Sequence, residues 1–135
     1  MSKISKEIAE QEVSKWLDFK RVKDSKREEM KDSIKSLEDA FLDGVLRLED
    51  DGKLVQTLDF PLTNSDGETT VTELKYVLRL PMKNVNQSLE GLKASDVDGR
   101  MLGYVAAYTN QPRAVIGNVT SDDFKVCQNI ILFFL

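Results

Sequence analysis

Two acidic segments that contain glycine are the first places where this sequence could bind a metal ion. They are Asn64-Ser65-Asp66-Gly67 and Asp96-Val97-Asp98-Gly99. A calcium loop supplies oxygen ligands at fixed, alternating positions. In these segments, required ligand positions fall on Leu62 and on Ala94, whose side chains have no oxygen atom. We therefore interpret the first segment as a hairpin turn and the second as a helix start, and we expect no metal site.

The adjacent carboxylates Asp122 and Asp123 are the other residues that could do chemistry, as a general acid and a general base. The chain contains no histidine, which excludes a Ser–His–Asp triad and a Cys–His nucleophile. Its single cysteine, Cys127, lies in an apolar stretch, and its glycines form no phosphate-binding pattern. Because acidic residues are favourable in the first turn of a helix, we interpret both aspartates as part of a helix start. We predict that the protein is not an enzyme and uses no cofactor.

The overall composition is that of an ordinary soluble protein with one modest hydrophobic core. Of the 135 residues, 41% are hydrophobic and 31% are charged, and the formal net charge is -4. One cysteine cannot form a disulfide within the chain, so we expect a reducing compartment. The longest apolar run, residues 130–135, is too short to span a bilayer, and the polar first residues do not resemble a signal peptide. We expect no membrane partner.

Charged residues are distributed unevenly: residues 20–27 are mostly basic, and residues 38–51 are rich in acidic side chains. Nucleic-acid binding is one interpretation of the basic segment. However, Asp24 interrupts the segment, and no aromatic residue lies within it. A solvated junction between two helices explains the segment better, and we expect no nucleic-acid partner. The separation of opposite charges would help to orient copies of the chain in self-association.

Residues 1–51 have the composition and apolar spacing of two amphipathic helices. In residues 3–22, one helical stripe contains the apolar residues Ile4, Ile8, Ala9, Val13, Trp16 and Leu17. A second helix is predicted to begin at Asp24 or Ser25, with an apolar seam of Met30, Ile34, Leu37, Phe41, Gly44 and Leu48. The spacing of this seam is typical of a short coiled coil. We predict that the two helices form a hairpin or present the seam to a second chain.

After Gly52 the apolar period changes to two. Residues 54–60 and 71–80 alternate between apolar and polar positions, with the turn-forming residues 64–67 between them. This pattern predicts one antiparallel β-hairpin with an apolar face.

The remaining residues predict helices at 84–93, after a cap at Ser95 or Asp96, near Pro112, and after a cap at Thr120 or Ser121. The sequence therefore predicts an α+β fold that is mostly helical, with C-terminal helices after the β-hairpin. Residues 1–51 would form a helical hairpin or oligomerisation segment, and residues 52–135 a domain of β-hairpin and helices.

The order of motifs in residues 53–135 resembles the small tail assembly chaperones of contractile-tailed bacteriophages. The pattern begins with Leu58-Asp59-Phe60-Pro61, a turn at Asp66-Gly67-Glu68, and a strand running from Glu73-Leu74 to Leu78-Arg79-Leu80-Pro81. It continues with a helix that ends near Tyr108-Thr109-Asn110-Gln111-Pro112. It closes with Val119-Thr120-Ser121-Asp122-Asp123-Phe124 before an apolar last helix.

The resemblance implies a non-enzymatic protein of the host bacterial cytoplasm that binds the tape measure protein and keeps it soluble. It also implies help in recruiting tail tube protein, and a longer product made by translational frameshifting, with which the apolar end at Leu135 is compatible. Apolar stripes on short helices would supply the contact surface. We expect most of the candidate contact residues to belong to the core. They are Trp16, Leu17, Ile34, Leu37, Phe41, Tyr104, Tyr108, Ile131 and Phe134.

Two other functions are compatible with the sequence. One is a structural or adaptor protein of the phage virion that self-associates through its N-terminal helices. The other is a regulator that binds a single host protein. Presence in purified virions would distinguish the first of these from a chaperone, and a gene far from the structural genes would indicate the second.

Overall fold

The computed structural model describes residues 4–135, and in this part of the chain helices surround a small antiparallel sheet. The helices are α1 (Lys6–Lys20), α2 (Asp24–Glu29), α3 (Lys31–Leu42), α4 (Met82–Ser88), α5 (Val97–Thr109), α6 (Arg113–Ile116) and α7 (Ser121–Ile131). The strands are β1 (Leu46–Leu48), β2 (Leu54–Thr63) and β3 (Thr69–Tyr76), and a 3-10 turn covers Leu132–Phe134. The predicted fold class, α+β and mostly helical, is confirmed.

Helix α1 begins and ends at residues that satisfy its terminal main-chain groups. The Ser5 hydroxyl accepts a 3.2 Å hydrogen bond from the N–H of Ile8 at the first turn. At the other end Arg21 adopts a left-handed conformation, with φ of 58°, which closes the helix. Between these caps, one face of the helix is buried in the core through Ala9, Val13, Trp16 and Leu17.

The second predicted helix, with its seam from Met30 to Leu48, is wrong in two places. The structure divides it at Met30 into α2 and α3, and α3 ends at Leu42. Gly44 has a φ of 76°, which a helix cannot contain, and a glycine just beyond the last turn is a common helix terminator. The residues that follow form the short strand β1, so Leu48 belongs to the sheet rather than to a helical seam.

The sheet has three antiparallel strands in the order β1-β2-β3, one more than the predicted hairpin. Strand β2 pairs with β1 through Leu46↔Gln56 and with β3 through Gln56↔Leu74. The predicted turn after β2 is confirmed, because the side-chain oxygen of Asn64 accepts hydrogen bonds from the N–H groups of Asp66 (2.9 Å) and Glu68 (3.0 Å). This oxygen therefore closes a turn rather than one side of a calcium loop.

One hydrophobic core contains residues from both sides of the composition change near residue 52. Trp16 from α1 packs edge-on against Phe133, with ring centroids 5.5 Å apart. Strand β1 from the first segment pairs with β2 from the second. Residues 4–51 are therefore packed on the sheet and on the C-terminal helices, rather than being separate from them.

A buried polar network joins the middle of the sheet to α7. The Gln56 amide nitrogen donates a 3.0 Å hydrogen bond to the main-chain carbonyl of Asp123, and its amide oxygen accepts from the Tyr76 hydroxyl (2.8 Å) and the Cys127 thiol (3.2 Å). The two carboxylate oxygens of Asp123 accept from the N–H groups of Asp59 (2.9 Å) and Phe60 (3.0 Å). Asp59 and Phe60 lie where the β2–β3 register is irregular, between Thr57 and Leu62.

The surroundings of Asp123 and Cys127 explain why neither side chain is suited to chemistry. Asp123 is buried, and both of its oxygens bind main-chain donors of the sheet. Burial raises the pKa of the Cys127 thiol to about 11, so it remains protonated at neutral pH. The side chain of Asp96 accepts a 2.9 Å hydrogen bond from Gly99 and caps α5, as predicted.

Across residues 4–135, every helix is too short or too polar to cross a lipid bilayer.

Candidate partner-binding groove

Most of the contact residues predicted from the sequence are core residues in the structure. Six of the nine are buried: Trp16, Leu17, Leu37, Phe41, Tyr108 and Ile131. The other three, Ile34, Tyr104 and Phe134, are partly buried and pack against the same core. The structure brings Trp16, Tyr108 and Phe134 together in one aromatic cluster, in which the Tyr108 and Phe134 ring centroids are 4.1 Å apart.

An open groove lies between α1 and the edge strand β1. It consists of two adjoining cavities of about 410 Å³ and about 530 Å³, which share Glu12 and Leu48 as lining residues. We call this surface the α1–β1 groove. The residues that line it are Ile4, Ile8, Glu12, Lys15, Asp18, Phe19, Phe41, Gly44, Leu46, Arg47, Leu48, Glu49, Asp50 and Thr57.

One wall of the α1–β1 groove is the outer face of α1. Residues Ile8, Glu12, Lys15 and Phe19 follow one another at helical spacing, so they lie in a row along the helix. Ile8 is 43% exposed and Phe19 is 39% exposed, and both are large apolar side chains. The buried residues of α1 lie on a neighbouring face of the same helix. At the groove, α1 therefore presents two exposed apolar side chains, Ile8 and Phe19, with the charged Glu12 and Lys15 between them.

The other wall is β1, the edge strand of the sheet. The carbonyl of Val45 accepts a hydrogen bond from Thr57, and the N–H of Glu49 donates to Lys53. In an antiparallel ladder the residues between such pairs alternate in direction, so the N–H and C=O groups of Leu46 and Leu48 point away from β2. Within residues 4–135 these outward groups have no main-chain partner. The groove thus combines apolar side chains with free main-chain donors and acceptors.

The charge of the groove rim is mainly acidic. Its acidic lining residues are Glu12, Asp18, Glu49 and Asp50, and its basic ones are Lys15 and Arg47. Most of these charges are already paired. Glu12 lies 3.7 Å from Lys15, Asp18 lies 2.8 Å from Arg27, Glu49 lies 3.6 Å from Lys75, and Arg47 lies 2.9 Å from Glu73. In the described part of the chain, Asp50 makes no ion pair. A partner with basic side chains beside an apolar surface would match this rim.

Phe19 is held in place at one end of the groove by the turn between β1 and β2. Gly52 in this turn has a φ of 91°, and a Cβ atom there would lie 2.9 Å from Cγ of Phe19 and 2.7 Å from a methyl group of Leu78. The absence of a side chain at Gly52 therefore allows the ring of Phe19 to pack on the turn. The main-chain carbonyl of Phe19 also accepts a hydrogen bond from Arg79.

The sequence prediction missed most of the residues that form this groove. Ile4 and Ile8 were assigned to the core stripe of the first helix, but Phe19 was assigned to no stripe. The only sequence signal for this face is the helical spacing of Ile8, Glu12, Lys15 and Phe19. Because the two central residues are charged, this spacing does not predict an apolar face. Leu46 and Leu48 were missed as groove residues because the predicted second helix extended through them.

No family model, no curated protein and no solved structure matches this chain.

Proposed function

We propose that this protein is a non-enzymatic phage tail assembly chaperone that binds an apolar helical segment of the tape measure protein in the α1–β1 groove. It would keep that segment soluble in the host bacterial cytoplasm and aid assembly of the tail tube protein around it. The observation that carries the proposal is the open apolar groove on an otherwise well-buried core. The order of motifs in residues 53–135 supplies the family expectation.

The groove supports this function because it leaves apolar side chains exposed at fixed positions. Ile8 and Phe19 stand at opposite ends of one row on α1, separated by three helical turns. A partner helix of similar length would pack its apolar residues on Ile8 and Phe19 and against Leu48. Isolated exposed apolar residues are normal on a protein surface, whereas Ile8, Phe19 and Leu48 line one groove and offer a partner a shared contact surface.

The acidic rim would favour some apolar partners over others. A helix that carries Lys or Arg beside its apolar stripe would meet the carboxylates of Glu12, Glu49 and Asp50. An acidic helix would be repelled by the same side chains. We therefore propose that the segment bound is apolar on one face and basic along its flanks.

The proposal assigns no catalytic step to any residue. Three acidic residues could have suggested chemistry: Asp66, Asp122 and Asp123. Asp66 lies in the hairpin turn, and the two others lie in the first turn of α7, where Asp123 belongs to the buried network. Binding and release of the partner would depend on apolar contact area, which requires no cofactor.

The test is co-expression with a tape measure protein from the same phage, followed by measurement of the soluble fraction of that protein. Wild type should raise the soluble fraction, and Ile8→Asp or Phe19→Asp should abolish the increase because each replaces an exposed apolar contact with a charge. Val97→Asp is the matched control, since Val97 is 69% exposed and lies outside the groove. It should behave as wild type.

Two outcomes would contradict the proposal. One is an unchanged soluble fraction with wild-type protein, and the other is equal activity of the groove variants and the control. Recovery of the protein from purified virions at a fixed stoichiometry would instead favour a structural or adaptor role. A neighbouring gene order without a tape measure gene would favour a regulator of a host protein.

A further inference from the structure

A second surface cavity, on a different side of α1 from the Ile8 row, is lined by an unusual number of cations. Its volume is about 290 Å³, and it lies between the α1–α2 junction and the segment after β3. The cations that line it are Lys20, Arg21, Lys23, Lys26 and Arg79. We call it the basic pocket. Four of these residues belong to the basic sequence segment 20–27, and Arg79 joins them from the linker that precedes α4.

The floor of the basic pocket is apolar. It is formed by Leu78, Tyr108, Phe133 and Phe134, which are part of the core or pack against it. The pocket therefore offers cationic walls above an aromatic surface. Such a combination suits a ligand that has both negative charge and apolar groups.

Lys20 lines this pocket, and its contacts there are with a main-chain carbonyl and an aromatic ring rather than with a carboxylate. Its ammonium group donates a 3.0 Å hydrogen bond to the carbonyl of Leu78 and lies 3.6 Å above the ring of Phe134. Burial, followed by the charges of Arg79 and Lys26, lowers the pKa of Lys20 from its ordinary value of 10.5 to about 8. The free protein thus holds like charges close together around a half-buried lysine.

Cations elsewhere in the chain show what is missing here. Arg27 pairs with Asp18, and Arg47 pairs with Glu73. Within residues 4–135, none of the five pocket cations lies within ion-pair distance of a side-chain carboxylate. This is unexpected in a chain of net charge -4, where acidic side chains outnumber basic ones. The partners of Lys26 and Arg79 are main-chain oxygens: Lys26 donates a 3.0 Å hydrogen bond to that of Leu135, and Arg79 donates to that of Phe19.

We propose that the basic pocket binds carboxylate side chains of an acidic protein segment that also carries an apolar residue. The carboxylates would lie between Lys20, Lys26 and Arg79, and the apolar residue would pack on the aromatic floor beside Phe134. This site is separate from the α1–β1 groove and does not depend on the function proposed for that groove.

The geometry favours a protein segment over a nucleic acid. A single strand of nucleic acid is bound along an extended basic surface that carries exposed aromatic rings. Here the cations converge on one small cavity, and Glu49, Asp50 and Asp51 lie in the turn that packs against neighbouring Phe19 and Leu78. A phosphate backbone carries a charge at every nucleotide, so those carboxylates would repel it where it left the pocket, whereas a protein segment can leave the pocket through uncharged residues.

Trp16 provides a direct measurement of binding, because it is the only tryptophan and contacts the floor of the pocket. Its ring centroid is 5.5 Å from that of Phe133 and 6.0 Å from that of Phe134. The experiment titrates the full chain, at low salt, with a short acetylated and amidated peptide of sequence Glu-Glu-Leu-Glu-Glu-Phe. We expect a saturable change in the fluorescence emission of Trp16 as peptide is added, and a large increase in Kd when salt is added.

The variants test whether the pocket cations cause the binding. Lys20→Met should weaken binding about tenfold, as expected for one charge-assisted contact. Lys23→Met should weaken it by roughly threefold without affecting the fold, since Lys23 lines the pocket and is exposed. Lys93→Met is the control with the same change of net charge outside the pocket, and it should leave Kd unchanged.

Several results would overturn the proposal. One is the absence of saturable binding of the peptide. Another is equal binding of a peptide in which Gln replaces every Glu. A third is that the pocket variants and Lys93→Met have the same Kd. A short oligothymidylate that binds more tightly than the acidic peptide, with the same loss in Lys20→Met and Lys23→Met, would assign the pocket to nucleic acid instead.

Discussion

The side-chain amide of Gln56, in the central strand, donates a 3.0 Å hydrogen bond to the main-chain carbonyl of Asp123, in the first turn of α7. Both residues are buried, and they are 67 positions apart in the chain. A buried polar group without a partner is costly, so each residue depends on the other for its place in the core. The sheet and the last helix are therefore joined by polar contacts as well as by apolar packing.

Asp123→Asn should lower the free energy of unfolding by about 2–4 kcal/mol, because a carboxylate that accepts two main-chain N–H groups is replaced by an amide with one acceptor. Denaturant unfolding measures this change. Asp122→Asn is the matched control, since Asp122 is exposed and shares only the helix start, and it should cost at most about 1 kcal/mol. Equal losses in the two variants would show that the bonds to Asp59 and Phe60 do not stabilise the fold.

Gly52→Ala should destabilise the fold by about 2–3 kcal/mol. The positive φ of 91° strains any side chain, and the new methyl group would contact Phe19 and Leu78. Gly67→Ala provides the comparison, because Gly67 also has a positive φ but no atom lies within 4 Å of its added Cβ. It should cost about 1 kcal/mol from strain alone. A thermal melt that ranks the two variants equally would exclude the packing of Phe19 on the turn.

Phe41→Asp should destabilise the fold by about 4 kcal/mol or more, because Phe41 is only 4% exposed and a buried unpaired charge is costly. The sequence prediction placed Phe41 in a seam between helices or chains, and the structure places it in the core at the edge of the groove. Ser36→Asp, on the exposed face of the same helix, is the control. An unchanged melting temperature and an unchanged oligomer size for Phe41→Asp would reject its burial.

Lys20 should lose its proton near pH 8, well below the ordinary value of 10.5. Between these values the unfolded chain holds the proton and the folded chain does not, so this residue adds stability as pH rises from about 8 towards 10.5. The raised pKa of Cys127 makes stability fall as pH rises above about 9. The contribution of Lys20 is therefore the difference in pH dependence between wild type and Lys20→Met. NMR titration of the Lys20 side chain checks the midpoint, and a midpoint near 10.5 would contradict its burial.

Binding at the basic pocket should move the same midpoint upwards. A carboxylate beside Lys20 favours the charged form of the lysine, so the acidic peptide should raise the pKa and should itself bind more weakly above pH 8. The charged groups that face Lys20 are Arg79 from the linker after β3 and Lys26 from α2. An unshifted midpoint in the saturated complex would place the peptide elsewhere on the surface.

Local patterns predicted the elements whose ends are marked by strong turn or cap residues. Asn64 and Gly67 specified the hairpin turn, and Asp96 and Thr120 capped helices where expected. Strand β1 was missed because Leu48 continues the four-and-three spacing of the preceding helix, so periodicity alone did not show the break. The left-handed conformation at Gly44 decided the outcome, and a glycine in a periodic segment is weak evidence by itself.

Both candidate surfaces depend on contacts that local patterns do not contain. Arg79 lies 59 positions after Lys20, and nothing in its neighbourhood indicates that it joins the basic segment. The predicted contact residues were chosen for size and apolarity, which are also the properties of core residues. For Trp16, Leu37 and Ile131 burial in the core was therefore the more probable outcome from the start.

The bonds from Asp123 to the N–H groups of Asp59 and Phe60 also fix an order of events during synthesis. The ribosome releases the sheet well before α7, and until α7 emerges those two donors and the amide nitrogen of Gln56 must rely on water, while the Gln56 amide oxygen can already accept from Tyr76. A nascent chain that has reached β3 therefore has strands but no sealed core, and it exposes the face that α7 will cover. Such intermediates are prone to association, so a stall between residues 76 and 120 should be the point at which the growing chain most needs protection.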